Sequence, residues 1–262
     1  MKSIIITLLL VVNTVLGGVA VLNGLAHEFN VSPGNIYRGK IELQNTSHIS
    51  QIVTVYQSDI TTKYTGETFY SDSITNDRSN LSWINLSSLS VTLESKEKGS
   101  IDFQITVPNS NTLTGTYWSV IMVEPRDPIY VQEDESGYSI QSKVRYAIQI
   151  VCNIGETGTI DLKFLNISKE LYNEKQYLKV DIENNGQVLI KPTLSLELFD
   201  VQGSSLPIIK VEKQRIFPNS SKRYIVNIDD IEPGIYQGIL IADCETDDLF
   251  GVNITLNLKD DD

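Results

Sequence analysis

The sequence has very little histidine, with only His27 and His48 among 262 residues. A Ser/His/Asp triad would require one of them beside a nucleophile. His27 stands near the start of the predicted mature chain, and His48 lies in a predicted polar turn. The chain also lacks HExxH, CxxC and a glycine-rich phosphate-binding loop. We therefore predict that the protein is not an enzyme, has no catalytic residues and uses no cofactor.

Clusters of basic residues and of metal ligands are also missing. The net charge is −12, and lysine and arginine are scattered along the chain. Proteins that bind nucleic acid need a basic patch to displace counterions from phosphates, so we predict no nucleic-acid partner. The acidic loop of Glu245, Asp247 and Asp248 lacks the spacing of a calcium loop. We interpret it as a solvated turn and predict no metal site.

Only two cysteines occur, Cys152 and Cys244. A disulfide between them is possible if the protein is exported to an oxidising compartment. The predicted domain boundaries place the two residues in different domains. Two buried free thiols are the alternative, because spacing alone does not fix the geometry of a bridge.

The sequence has one long apolar run, and it lies at the amino terminus. Lys2 precedes the run Ile4–Leu16, and Gly24-Leu25-Ala26 offers small residues for a cleavage site, as does Gly18-Val19-Ala20. We predict a signal peptide over residues 1–26 and export to the periplasm or cell surface. An uncleaved anchor is the alternative, since the run approaches the length of a membrane span. No later run does, so no span is expected after removal.

The rest of the chain alternates between apolar and polar residues with the period of β-strands. Every second residue of Ile101–Val107 is apolar, which is typical of a half-buried strand. Tyr117–Val123 is nearly all apolar and predicts a central strand covered on both faces. About seven strands fit on each side of a linker at Gly155–Gly158. We predict an all-β fold of two tandem immunoglobulin-like β-sandwich domains, at residues 27–154 and 155–262.

Two polar stretches interrupt this rhythm. Residues 60–86 contain scattered aromatic side chains and predict an insertion with a short helix or hairpin. Long loops are often functional. The alternative is that the aromatic residues of this insertion fold back onto the sandwich. Residues 126–141 predict a protruding hairpin or a loop.

The two halves resemble each other in detail. An asparagine-centred turn follows an early strand in each half, at Asn45-Thr46-Ser47 and Asn184-Asn185-Gly186. Each half also has a glycine two residues before a tyrosine, Tyr117 or Tyr236. These tyrosines are either corner tyrosines, which bond to the backbone near a strand, or ordinary strand residues.

The first domain resembles the amino-terminal domain of PapD-like periplasmic pilus-assembly chaperones. The resemblance lies in Phe29–Pro33, in Ile41–Asn45, in the strand Tyr117–Pro125 before a long loop, and in Gln141–Ile150. Surface proteins with tandem immunoglobulin-like domains that accompany bacterial WxL proteins look similar too. The resemblance covers most of the mature chain as architecture.

The resemblance implies a function and a set of site residues. In the chaperone family, two basic residues in the interdomain cleft hold the terminal carboxylate of a pilin, and an edge strand then completes the unfinished sheet of the pilin. By position, Lys143 or Arg145 would be one of these cations and Arg38 the other. The predicted partner is thus a secreted or surface protein subunit. The alternatives are edge protection by charge at Lys143 and Arg145, and a structural or adhesive envelope module that binds peptidoglycan or another surface protein. The oligomeric state stays open.

Overall fold

The structure, a computed structural model, describes residues 18–126, 130–133, 139–246 and 248–258. Within them the chain forms β-strands and one turn of 3-10 helix, Leu81–Trp83. The first domain contains β1 (Val19–Val21), β2 (Ala26–Val31), β3 (Ile36–Asn45), β4 (Gln51–Thr62), β5 (Thr68–Ser71), β6 (Ile84–Leu86), β7 (Ser90–Leu93), β8 (Lys98–Thr106), β9 (Gly115–Pro125), β10 (Tyr130–Glu133), β11 (Ser139–Ser142) and β12 (Tyr146–Ile154). The second contains β13 (Leu162–Tyr172), β14 (Lys175–Asn184), β15 (Thr193–Phe199), β16 (Ile209–Val211), β17 (Ser220–Asn227), β18 (Ile235–Asp243) and β19 (Leu249–Asn257).

The first domain is a sandwich of two sheets. One sheet has the strand order β1-β3-β8-β6, and the other has β2-β12-β9-β4-β5, with β7 also paired to β4. Side chains from both sheets meet in one core. The alternation in β8 sends Ile101, Phe103 and Ile105 into that core and Asp102 outward, as the sequence predicts.

Strand β9 is covered on both faces, which confirms the prediction of a central strand. Ile121 and Val123 belong to the core between the sheets. Trp118, Val120 and Met122 point to the other face, where they form a second apolar cluster. Because this cluster lies against the second domain, β9 is buried from both sides.

The insertion is a hairpin of β4 and β5 followed by the 3-10 turn and β6. Trp83 folds back and is buried in the core, whereas Tyr64, Phe69 and Tyr70 are exposed. The fully buried carboxylate of Asp59 accepts hydrogen bonds from the backbone and side chains that follow the hairpin, namely from Thr75 N, Thr75 Oγ1, Asn76 N and Asn76 Nδ2. One buried acid therefore fixes the polar part of the insertion. The hairpin predicted in the second polar stretch is also present, as β10 and β11.

The second domain repeats the sandwich with sheets of order β13-β14-β17 and β16-β15-β18-β19. Its core lies between them and is separate from the core of the first domain. A buried charge is balanced at one face, where Arg223 donates to both carboxylate oxygens of Asp181 at 2.6 and 2.8 Å. The predicted all-β fold of two tandem immunoglobulin-like sandwiches is confirmed.

The asparagine turns of the two halves are structural equivalents. The side-chain amide of the fully buried Asn45 donates to Ile49 O at 2.7 Å and Leu93 O at 3.0 Å. That of Asn184 donates to Val188 O and Ile216 O, both at 2.8 Å. Each asparagine thus ties the end of a strand to the loop that follows it and to a neighbouring segment.

Only one of the two tyrosines behaves as a corner tyrosine. The hydroxyl of Tyr236 donates to Glu232 O at 2.9 Å, four residues upstream. Tyr117 instead packs its ring against Trp83, with a centroid distance of 4.8 Å.

The domains touch through aromatic stacking and backbone bonds. Phe217 of the second domain stacks on Trp118 with ring centroids 4.8 Å apart. Thr116 N donates to Gln187 O at 2.8 Å. Gly115 has a φ of 68°, and a Cβ there would lie 2.1 Å from the same oxygen. Only glycine fits this approach, so the start of β9 is built around the second domain.

The described chain begins inside the segment that the sequence analysis predicts as a signal peptide. Strand β1, which the sequence assigned to the signal peptide, is part of the first sheet and pairs with β3. Residues 1–17, Asp247 and the tail 259–262 lie outside the described residues. In the described part of the chain, no helix has the length and apolar character needed to cross a membrane.

Candidate functional site

The free edge of β12 is the first candidate site. On one side, β12 pairs with β9 over its full length, from Tyr146 to Ile154. On the other side, its partner β2 covers only Gln149–Ile154. Among the described residues, no strand lies along that side of Tyr146–Ile148. These three residues therefore offer an unpaired stretch of sheet edge.

The direction of the edge groups follows from the two-residue period of a strand. The amide of Gln149 points away from β9, because it donates to Leu25 O at 2.9 Å. Ala147 stands two residues earlier and presents its amide and carbonyl in the same direction. An incoming strand would bond first to these two groups.

Both faces of β12 are apolar around the open edge. Tyr146 and Ile148 pack on the core of the first domain, and Ile148 is fully buried. Ala147 and Val151 pack on the opposite cluster, next to the second domain. The half-buried Tyr146 and Ala147 would give an added strand apolar surface on each side of its backbone.

A charged cluster stands immediately before the open edge, and we call Glu124, Lys143 and Arg145 the edge cluster. Lys143 Nζ lies 2.8 Å and Arg145 Nε 3.1 Å from the carboxylate of Glu124. The hydroxyl of Tyr56 donates to the same carboxylate at 3.1 Å. The hydrogen bond from Lys143, helped by Tyr56 and by the charge of Arg145, lowers the pKa of Glu124.

The edge cluster carries more positive than negative charge. One carboxylate faces two cations, whose side chains remain 40% and 52% exposed, against 19% for Glu124. The exposed cations can therefore contact a second carboxylate without losing the first. One lysine and one arginine that share a single acid have the chemistry to bind an anion beside the open edge.

Arg38 lies elsewhere in the fold. It is exposed on β3, in the other sheet of the sandwich, where it faces Gln104 of β8. Asp102 and Asn85 line the same shallow depression. The structure thus brings Lys143 and Arg145 together and leaves Arg38 apart from them.

A cleft between the domains is the second candidate site. It holds a cavity of about 470 Å³. Glu28 crosses it with bonds to two cations of the second domain, at 3.0 Å from Lys191 Nζ and 2.9 Å from Arg215 Nη1. Three carboxylates, of Glu28, Glu156 and Glu245, line this cavity, and Lys191 is the one cation that does so among the described residues. Lys191 and Arg215 bond to Glu28, and Lys213 bonds to Glu245. The cations at the cleft therefore do not outnumber its carboxylates, whereas those of the edge cluster do.

Arg215 holds the cleft together from the second domain. Its guanidinium lies over the ring of Phe217, with its carbon 5.6 Å from the ring centroid. Its Nε and Nη2 are buried and have no hydrogen-bond partner among the described residues. The contact with Glu28 and the stacking on Phe217 are what fix its position.

The two cysteines are free thiols, so the possible disulfide is absent. Cys152 lies in the core of the first domain, where Asn80 Nδ2 contacts its sulfur at 3.3 Å. Cys244 packs against the core of the second domain. Burial raises the pKa of Cys152 to about 12 and that of Cys244 to about 11. Since each thiol belongs to a different core, β12 and the end of β18 would have to leave their sheets to form a bridge.

Sequence reasoning missed the residues that connect the domains. Glu28 is 163 residues from Lys191, and both stand in segments of mixed polar composition. No local signal marks such a pair. In the part of the chain that the structure describes, no group of three or more His, Cys, Asp or Glu side chains is placed to hold a metal ion.

Comparisons with known proteins give structural neighbours only. No protein-family model matches the chain, and no curated protein matches it. A chain in the chaperone–tip adhesin complex of CFA/I fimbriae biogenesis is similar at 16% identity and a TM-score of 0.49, covering 91% of this chain and 98% of that one. The class 5 fimbriae chaperone CfaA is similar at 16% identity and a TM-score of 0.47, with the same coverage. The E. coli chaperone DraB is similar at 12% identity and a TM-score of 0.41, again covering 91% of this chain and 98% of that one.

Proposed function

We propose that this chain is an exported, non-enzymatic chaperone-like protein that binds subunits of a surface fibre in the periplasm by β-strand addition. This is the class of function that the sequence resemblance implies. The observation that carries the proposal is the open edge of β12 at Tyr146–Ile148. The rest of this strand is paired on both sides.

The edge suits a partner whose sheet lacks a strand. Backbone hydrogen bonds to Ala147 would give affinity that depends little on the partner sequence. Apolar side chains of the partner would pack beside the half-buried Tyr146 on one face and the half-buried Ala147 on the other. Such a site favours an extended segment and offers no enclosed place for a small substrate.

We place the anchor for a subunit carboxylate at the edge cluster. Lys143 and Arg145 are exposed, carry one more positive charge than Glu124 balances, and stand directly before the open edge. A charge-assisted bond there would fix the register of the incoming strand. The interdomain cleft is the weaker place because its cations, Lys191, Arg215 and Lys213, are already paired with carboxylates and leave no excess of positive charge. Arg38 lies on the other sheet and has no part in this anchor.

The test is capture of fibre subunits from a native periplasmic extract by the immobilised protein. The wild type is compared with Lys143→Ala/Arg145→Ala and with Lys163→Ala/Lys210→Ala. The second variant removes the same charge from exposed positions of the other domain. We expect the wild type and the control to capture a secreted subunit and the edge variant to lose it.

A third variant distinguishes the loss of the anchor from a loss of folding stability. Glu124→Gln frees both cations from their internal carboxylate, so we expect capture to be kept or strengthened. Equal capture by all four proteins would show that the edge cluster is not the anchor. Absence of any secreted subunit from the wild-type capture would contradict the proposed function itself.

A further inference from the structure

Strand β1 is paired and packed within the first domain. Val19, Ala20 and Val21 pair antiparallel with Asn45, Gln44 and Leu43 of β3. Val19 is only 2% exposed and belongs to the core between the two sheets. The folded domain therefore includes these residues at one edge of its first sheet.

The chain is held at Gly18, one residue before the strand. Gly18 N donates to Thr46 Oγ1 at 2.9 Å. The oxygen of Gly18 accepts from Thr46 N and from Thr46 Oγ1, both at 2.7 Å. The hydroxyl of Tyr146 donates to Val19 O at 2.7 Å. This last bond ties β1 to the first residue of the open edge in β12.

The connection from β1 to β2 is bonded as well. Leu22 N donates to Glu42 O at 2.8 Å. The side chain of Asn23 donates to Lys40 O at 2.6 Å and accepts from Glu42 N at 3.0 Å. Cleavage after Ala26 would remove all of these contacts, and cleavage after Ala20 would remove Val19 from the core.

We propose that the signal peptide ends at Gly17 and that signal peptidase hydrolyses the bond between Gly17 and Gly18. The cut consumes one water and leaves a carboxylate on Gly17 and an ammonium group on Gly18. It places the small residue Gly17 directly before the bond and Val15 two residues earlier, after the apolar run Ile4–Leu16. Every contact of Gly18 and β1 described above is preserved in the mature protein.

The experiment is expression of the full chain in a Gram-negative host, followed by purification from the periplasm. Intact mass and amino-terminal sequencing then identify the first residue. We expect the mature protein to begin at Gly18. A mature chain that begins at Val21 or His27, or a chain that retains Met1, would overturn the proposal.

Two matched variants locate the cut independently. Gly17→Leu places a large side chain directly before the proposed bond, and we expect processing to be lost and the precursor to accumulate. Ala26→Leu does the same at the other candidate position, where the side chain is exposed in β2, and we expect normal processing. The reverse pattern would place the cut after Ala26.

The folded state gives a third readout that does not depend on export. Two chains are expressed without a leader, one beginning at Gly18 and the other at His27. We expect the longer chain to unfold at a higher urea concentration, since it keeps β1 and the buried Val19. Equal midpoints would show that β1 contributes nothing to the mature domain and would overturn its assignment.

Discussion

Replacing Phe217 by alanine tests how the two domains support each other. The ring is 5% exposed and stacks on Trp118 at 4.8 Å between centroids, with an interplanar angle of 24°. Truncating a buried phenylalanine lowers the free energy of unfolding by about 3–5 kcal/mol. Stacked aromatic pairs contribute about 0.5–1.5 kcal/mol beyond the area they bury. Trp118→Ala should therefore lose part of the same interaction.

The assay is a double-mutant cycle followed by far-UV circular dichroism in urea. The free energy lost by Trp118→Ala/Phe217→Ala should be smaller than the sum of the single losses by about 0.5–1.5 kcal/mol. Leu256→Ala is the control, because Leu256 is buried in the core of the second domain. The free energy of unfolding lost by Leu256→Ala should add to that lost by Trp118→Ala. Additivity of the Phe217 cycle within about 0.3–0.5 kcal/mol would refute the coupling.

Three further predictions concern single side chains. Asn184→Ala leaves two carbonyls without their buried amide donor, and we expect the free energy of unfolding to fall by about 1–3 kcal/mol, measured in urea. Burial lowers the pKa of His27, whose Nε2 has no partner among the described residues. The unfolded chain then binds the proton more readily, so stability should fall as pH drops below the unfolded value of 6.5 and through the folded pKa. Cys152 should react with a thiol reagent only after unfolding, because its pKa is raised to about 12 and the side chain is fully buried.

Each of these has a control that can contradict it. Asn253→Ala removes an exposed asparagine, and an equal loss in both variants would refute the role of Asn184. His27→Phe should remove the part of the decline in stability that begins near pH 6.5, while the decline caused at lower pH by carboxylates such as Glu124 remains. An unchanged pH profile would exclude His27 as a source. Rapid reaction of Cys152 in the native Cys244→Ala variant would show that β12 opens easily.

The strands were predictable because alternation is a local property. In β8 every second side chain is buried, and in β9 both faces are covered, so the pattern in the sequence is the pattern of burial. The repeated asparagine turns were predictable for the same reason. A buried side chain that bonds the residues just after it leaves a short signature at Asn45 and Asn184.

The sequence does not predict features that depend on strand register or on pairing between distant segments. Val19–Val21 continues the apolar run, so its composition suits a leader as well as a strand, and no local pattern reveals its pairing with β3. The register of β9 against β12 sets Tyr146 opposite Val123, which brings the adjacent Arg145 to Glu124. No spacing in the sequence shows that pair, or the separation of Arg38 from it.

If a partner strand adds to the sheet, it must bond to the edge of β12 at Ala147, and two substitutions of this residue test that bond. Ala147→Pro removes the amide that faces the open edge, at a position where proline is tolerated because the lost donor serves no internal ladder. Ala147→Ser keeps the amide and a side chain of similar size. With purified fibre subunit, we predict that the serine variant binds as the wild type does and that the proline variant does not bind. Equal binding by a folded Ala147→Pro protein would contradict strand addition at this edge.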